Sequence, residues 1–235
     1  KLFTTKSEGY TGWYAKGNNK TYAIDNISIR AESIVGRTNV EETEAGYFER
    51  HEFSSADEIN RWGGSTTRFS CDGGYLKCSS TQQGIYGYHR FDDAVYTFDY
   101  IPKSTDTVRA TFVFNATTIP RETLKSNPSY ILYFRNNRVR LHRNEETVVT
   151  SEPMSFVADT TYKIKVVKSG GGLVVYCDTT EDYGTTQILE YTDASPLSAG
   201  ICGFGLVAGD GVWFDNFQIT GTRVYNKPIH RGAML

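Results

Sequence analysis

The stretch FRNNRVRLHR, residues 134–143, carries Arg135, Arg138, Arg140 and Arg143 with His142 and no acid among them. Successive side chains of an extended strand alternate between faces. If Val139 and Leu141 turn inward, Arg138, Arg140 and His142 therefore share the opposite face, with Tyr133 across from Arg140. A guanidinium offers a planar fork to carboxylate or sulfate, and an adjacent ring stacks on a sugar. The chemistry this predicts is recognition of a uronic or sulfated glycan. The same arginines also suit a solvated strand or a guarded sheet edge, with Glu145-Glu146 just beyond to neutralise them.

A second group lies in QQGIYGYHRF, residues 82–91, where Tyr86, Tyr88 and His89 are interleaved with glycines that let a ligand approach the backbone. Trp62, beside Gly63-Gly64, suits either a stacking platform on a loop or a plug at one end of a core. The acidic pairs Asp57-Glu58, Asp92-Asp93, Glu145-Glu146 and Glu181-Asp182 are adjacent in sequence, so within a strand their members point to opposite faces. None forms the paired carboxylates of glycoside hydrolysis. There is no GxSxG and no phosphate loop, and the glycines of GICGFG are wrongly spaced for a dinucleotide. The expectation is a non-catalytic protein.

The elements that must position these groups are strands. The 235 residues are 39% hydrophobic and 22% charged, enough to fill a core, and the aromatic fraction of 14% includes sixteen Tyr. A net charge of -2 argues against nucleic acid or acidic membrane as a general partner. No apolar run is long enough to insert in a bilayer as a helix. The chain starts without Met or a leader, which suggests a removed signal or a segment of something larger. Cys71, Cys78, Cys177 and Cys202 form no CxxC pair, leaving buried thiols or two disulfides.

From residue 47 onward, short alternating runs separated by Gly, Asn, Asp, Ser and Pro predict strands. They fall at 47–53, 67–71, 75–80, 85–91, 95–100, 107–115, 129–135, 138–143, 147–150, 161–168, 172–178, 186–191, 201–208 and 212–220. Asn136-Asn137 suits a two-residue hairpin turn with Phe134 opposite Val139 and Leu132 opposite Leu141. Ser169 to Gly172 turn a second hairpin. Helical signals are confined to SADEINRW, capped by Ser55 or Asp57, and to Pro120-Arg121-Glu122.

The series FERHEFSSADEINRW, FSCDGGYLKCSS, TTYKIKVVKSGGGLVVYCD and AGICGFGLVAGDGVWFDNFQIT resembles the laminin-G or concanavalin A-like group over residues 47 to 222. The resemblance implies an all-β fold, a two-sheet antiparallel jelly-roll β-sandwich. It also implies a choice of lectin, carbohydrate-binding module, glycan lyase, hydrolase or adhesion repeat, which fold alone does not resolve. In similar endings the Asp of Asp215-Asn216 helps bind a structural calcium, here with Glu49 or Glu52; alternatively it accepts hydrogen bonds from nearby backbone. GYTGWYAKGNNKTYAIDNISI matches GICGFGLVAGDGVWFDNFQI, its Asp-Asn pair 190 residues earlier.

Residues 1–30 therefore read as the last strands of a preceding repeat, 31–46 as a linker, 47–222 as the jelly roll and 223–235 as a tail. The expected function is a lectin-like carbohydrate-binding module of an extracellular tandem-repeat protein. Its predicted site residues are Tyr133, Arg138, Arg140, His142, Tyr86, Tyr88 and Trp62, and its partners are a glycan and neighbouring repeats. A structural adhesion or filament repeat is the alternative. A glycan-degrading enzyme built on Tyr133, Arg140 and His142 is less favoured.

Overall fold

Alternation becomes strand after strand in the computed structural model, which describes Leu2–Thr4, Thr11–Trp13 and residues 39–228 except 80, 106–107, 118–127, 145, 181 and 210. Two units are compact in themselves, Lys1–Thr38 and Asn39–Leu235. In the first, β1 (Leu2–Thr4) pairs antiparallel with β2 (Thr11–Trp13). Asp25-Asn26, Pro120-Arg121-Glu122 and Glu145 lie outside the described residues.

The second unit opens with β3 (Asn39–His51) and a 3-10 helix (Ala56–Arg61) whose Ser55 side chain accepts from the Asp57 N–H. Then come β4 (Gly63–Gly64), β5 (Phe69–Asp72), β6 (Tyr75–Cys78), β7 (Gln83–Tyr86), β8 (Arg90–Pro102) and β9 (Arg109–Ala116). They are followed by β10 (Tyr130–Arg135), β11 (Arg138–Arg143), β12 (Glu146–Thr150), β13 (Tyr162–Ser169) and β14 (Gly172–Asp178). The last are β15 (Gln187–Thr192), β16 (Ile201–Ala208) and β17 (Val212–Pro228). Seven strands form one sheet, β12-β11-β10-β9-β16-β7-β4. Eight form the other, β15-β14-β13-β8-β17-β6-β5 with β3 paired to β17.

Between the sheets lies an aromatic core. Phe98, Phe112, Phe204, Phe214 and Phe217 have no exposed surface, and the ring centres of Phe204 and Phe214 lie 4.4 Å apart, tilted by 33°. Each buried ring of this kind contributes about 1.5–3 kcal/mol by leaving water. The inward residues of β10 and β11 join them: Phe134 and Val139 are fully buried and Leu141 nearly so. Their hairpin pairs Phe134 with Val139 and Leu132 with Leu141, as the sequence predicts. Asn136 and Asn137 take φ of 49° and 57°, the left-handed pair a two-residue turn demands.

Asp215-Asn216 has a geometric role in β17. Phe214 and Phe217 both face the core although three positions apart, because Asn216, at φ 49°, is an extra residue in a bulge. Strict alternation resumes with Ile219, 2% exposed.

The sequence and the structure part in several places. β3 begins at Asn39 and β17 runs on to Pro228, so residues 39–46 and 223–228 continue the sheet rather than serving as linker and tail. Residues 43–46 are exposed, so their pairing rests on backbone hydrogen bonds and leaves no apolar period to read. The run 85–91 is not one strand. It breaks at Gly87–His89, where the chain crosses from the seven-stranded sheet to the eight-stranded one. All four cysteines are buried, and Cys71 faces Leu76 while Cys78 faces Phe69, so neither is opposite the other. Among the described residues no helix is long and apolar enough to cross a membrane.

Candidate functional site

The outward face of β10 and β11 gathers four predicted residues. Tyr133 pairs with Arg140, and the Tyr133 and His142 rings lie 5.5 Å apart. Arg135, which the prediction omitted, places its guanidinium 6.0 Å from the Tyr133 ring centre. Arg138 donates to the Ser151 carbonyl at 2.9 Å, which fixes its fork beside the others. The Nε atoms of Arg135 and Arg140 are shut from solvent and have no hydrogen-bond partner. Leaving such a donor unsatisfied costs about 1–3 kcal/mol, so this face suits an added acceptor. Arg143 departs from the group, because its guanidinium donates to Asp193 at 2.6 Å and to the Ser195 carbonyl at 2.8 Å. The Tyr130 hydroxyl donates to the same carboxylate, and the network ties β11 to the loop after β15.

The centre of this sheet face is closed. Thr111, between Tyr133 and Gly205 in register, is 1% exposed, and Val113 and Ile131 form a second apolar cluster with Ala116. The tyrosines of β7 therefore stand apart from the arginines, three strand spacings or about 14 Å away. Tyr86 is buried with its ring against Gly63, where even a Cβ would meet it at 2.4 Å. Tyr88, 58% exposed, meets Tyr86 edge-on at 5.8 Å and is the ring free for a ligand. Trp62 is not a stacking platform. At 3% exposure it fills the core end beside Phe53, Phe204 and Phe217, an apolar niche that a loop position in the sequence does not reveal.

Glu49 and Asp215 do not meet. Glu49 stands opposite Ile219, four residues along β17 from Asp215. Its register turns it inward, where an ionised carboxylate survives only with partners. It has two: Nε2 of His51 and Nδ1 of His89 each lie 2.7 Å from one of its oxygens. Burial pushes the carboxyl up, but the hydrogen bonds and charge of the two imidazoles outweigh it and hold the group down at about 2. Asp215 accepts from the Asn216 N–H at 2.6 Å, the backbone role. Its carboxyl is raised by burial and by nearby Asp99 and Glu52. Asp99, directly across, is saturated by Lys163, Tyr183 and the Asn216 amide. Glu49 therefore does not join Asp215 in a calcium site, and among the described residues no group of three or more His, Cys, Asp and Glu is placed to hold a metal.

His51 is the residue sequence reasoning missed, and the companion role of His89 to Glu49 was missed with it. The two belong to a cleft of about 340 Å³ formed by Tyr47, Glu49, Arg50, His51, Arg61, Trp62, Gly87, Tyr88 and His89. The available signal was the alternation Tyr47, Glu49, His51, Phe53, which puts polar groups on the inward side of a margin strand while Phe48 is 56% exposed.

No protein-family model and no curated protein matches the chain. Among solved structures it is similar to a Bacillus subtilis protein of unknown function with a galectin-like fold, at TM-score 0.58 and 19% identity over 78% of this chain and 99% of that one. It is similar to the carbohydrate-binding module CBM66 of Bacillus subtilis, at 0.52 and 15% over 68% and 96%. A Bacillus licheniformis β-glucanase matches at 0.50 and 11% over 79% and 100%. That last likeness corrects the expectation of a non-catalytic protein, since the same sandwich is the entire chain of an enzyme. By its sheets and by these likenesses the chain is a jelly-roll β-sandwich of the concanavalin A-like kind.

Proposed function

We propose that this chain binds carbohydrate, holding an acidic glycan on the outward face of β10 and β11. The observation that carries this is the Tyr133 ring set among Arg135, Arg140 and His142, with two guanidinium Nε atoms lacking partners. Sugar hydroxyls and a carboxylate or sulfate supply the acceptors, and the ring supplies a stacking surface. The likeness to CBM66 and to a β-glucanase supports a glycan-related role in general terms. A secreted or cell-surface setting belongs to this reading. So does repetition of the domain, supported by the near-repeat of VWFDNFQI in YAIDNISI. Repetition would raise the avidity of a modest single site.

Affinity electrophoresis in polygalacturonate, a sulfated glycan and a neutral glucan tests it. Retention is expected in the acidic gels, falling about 10-fold or more in Arg140→Ala and Tyr133→Ala, since a charge-assisted hydrogen bond is worth about 1.5–3 kcal/mol. Equal mobility in all gels, or retention indifferent to both substitutions, would overturn it.

A further inference from the structure

The cleft at the crossing from β7 to β8 has properties the arginine face lacks. It opens where the β3 margin of one sheet meets the chain leaving the other, and its back is formed by the rings of His51 and Trp62, 5.0 Å apart. Nε1 of Trp62 and Nδ1 of His51 are buried without a hydrogen-bond partner among the described residues, and Nδ1 of His51 lies 3.9 Å from Oε1 of Glu58, whose other oxygen is also buried and unpartnered. The ionised Glu49 carboxylate accepts only, so each imidazole must donate to it: His51 through Nε2 and His89 through Nδ1. This leaves the buried Oε2 of Glu58 as an acceptor and the indole N–H as a donor, both without partners among the described residues. A hydroxyl, donor and acceptor at once, satisfies both kinds of group; an apolar ligand satisfies neither.

The same logic turns Nε2 of His89 outward. Its Nδ1 is held by Glu49, its ring meets Tyr47 edge-on at 5.8 Å, and its side chain is 37% exposed. Glu49 is thus a positioning residue, its charge offset by two imidazoles. Arg50 is occupied by Glu52 at 2.9 Å, whereas the side chain of the exposed Arg61 makes no ion pair or hydrogen bond among the described residues. The cleft therefore presents one uncommitted cation, one outward imidazole nitrogen, the exposed Tyr88 ring and buried polar atoms at its back. At about 340 Å³ it lies near the small end of ligand pockets.

We propose that this cleft is a second ligand site, separate from the arginine face, that takes a single anionic sugar residue. The carboxylate or sulfate lies on Arg61, the sugar ring over Tyr88, and hydroxyls reach Nε2 of His89 and the Trp62 N–H. This site does not depend on the glycan reading of β10 and β11, and the variants below separate the two.

Titration of the whole chain with methyl glucuronide, a sulfated methyl glucoside and plain methyl glucoside, followed by calorimetry and by the imidazole nitrogen signals in NMR, is the test. The glucuronide or the sulfated sugar is expected to bind and to shift the Nε2 signal of His89. Arg61→Ala and Tyr88→Ala, both at exposed positions, weaken binding about 10-fold, while Arg61→Lys retains more of it than Arg61→Ala. Arg140→Ala and Tyr133→Ala remove any heat that belongs to the arginine face but leave the midpoint of the His89 Nε2 shift, which reports the cleft alone, within about 2-fold. Glu49→Gln frees His89, visible as a changed tautomer balance together with weaker binding. Equal affinity for glucoside and anionic sugars, or a His89 Nε2 shift that survives both Arg61→Ala and Tyr88→Ala, would sink the proposal. So would binding abolished only by Arg140→Ala, which would return the ligand to the arginine face.

Discussion

The arginine face and the Glu49 cleft are both polar places on an aromatic sandwich, and they are made in opposite ways. Tyr133, Arg135, Arg138, Arg140 and His142 belong to one hairpin and point outward, so their charges remain in partial contact with water. Glu49, His51 and His89 come from β3 and from the turn after β7, and Glu49 and His51 point inward. An outward charge needs no partner, because solvent screens it; an inward one must be neutralised on the spot. Half-exposed arginines with no carboxylate partner among the described residues mark the first region, and a closed carboxylate-imidazole chain marks the second.

The largest expected effect separates the two regions by what supports them. Trp62 closes the core end behind the cleft, so Trp62→Ala should cost about 3–5 kcal/mol in denaturant unfolding. Tyr133→Ala, on a half-buried outward ring, should cost about 1 kcal/mol or less. Similar losses for both would mean that Trp62 packs no more than Tyr133 does.

Acid should distinguish the regions next. Glu49 is drawn from 4.5 to about 2 by His51 and His89, so its folded value lies below its unfolded one. A depressed carboxyl stabilises the fold above the unfolded value and loses that contribution as pH falls through the folded one. Stability should therefore drop between about pH 4.5 and 2 by roughly 1–2 kcal/mol, less than the full linkage because water reaches part of the site. Glu49→Gln should flatten this slope, whereas Arg140→Ala should leave it intact. An acid slope unchanged in Glu49→Gln would place the titrating group elsewhere.

A smaller effect concerns the turn that presents the arginines. Asn137 holds φ 57°, so Asn137→Ala should cost about 1 kcal/mol and Asn137→Gly very little. If the two substitutions are equally mild, the left-handed turn does not set the register that aligns Tyr133 with Arg140.

This turn also shows what the sequence made legible. Asn136-Asn137 fixes the register locally, and alternation then assigns every residue of β10 and β11 to a face, so Tyr133, Arg138, Arg140 and His142 fall together as expected. Nothing local fixes the crossing at Gly87–His89, because Ile85, Tyr86 and Tyr88 continue an apolar period that reads as one strand. The meeting of His89 with Glu49, 40 residues earlier, depends on two sheets closing over a core, and no spacing encodes it. Whether Trp62 is platform or plug stays open in the sequence for the same reason: its burial is set by Phe204 and Phe217, which lie far along the chain.

The finest distinction is whether the two regions act on one ligand molecule or on two. Three strand spacings, about 14 Å, separate β10 from β7, and the closed surface of Thr111, Val113 and Ile131 lies between. Groups so far apart without shared partners change free energies additively within about 0.3–0.5 kcal/mol. For a methyl glucuronide, the loss caused by Tyr88→Ala should thus be the same in the native and the Tyr133→Ala backgrounds. For a long acidic polysaccharide the result discriminates further. A single chain bridging both sites makes the second contact intramolecular, so either substitution alone costs more with the polymer than with the monosaccharide, and the two losses are no longer independent. Additivity with the monosaccharide and its failure with the polymer would join the regions into one extended surface. Additivity with both would keep them as two sites that share only a scaffold.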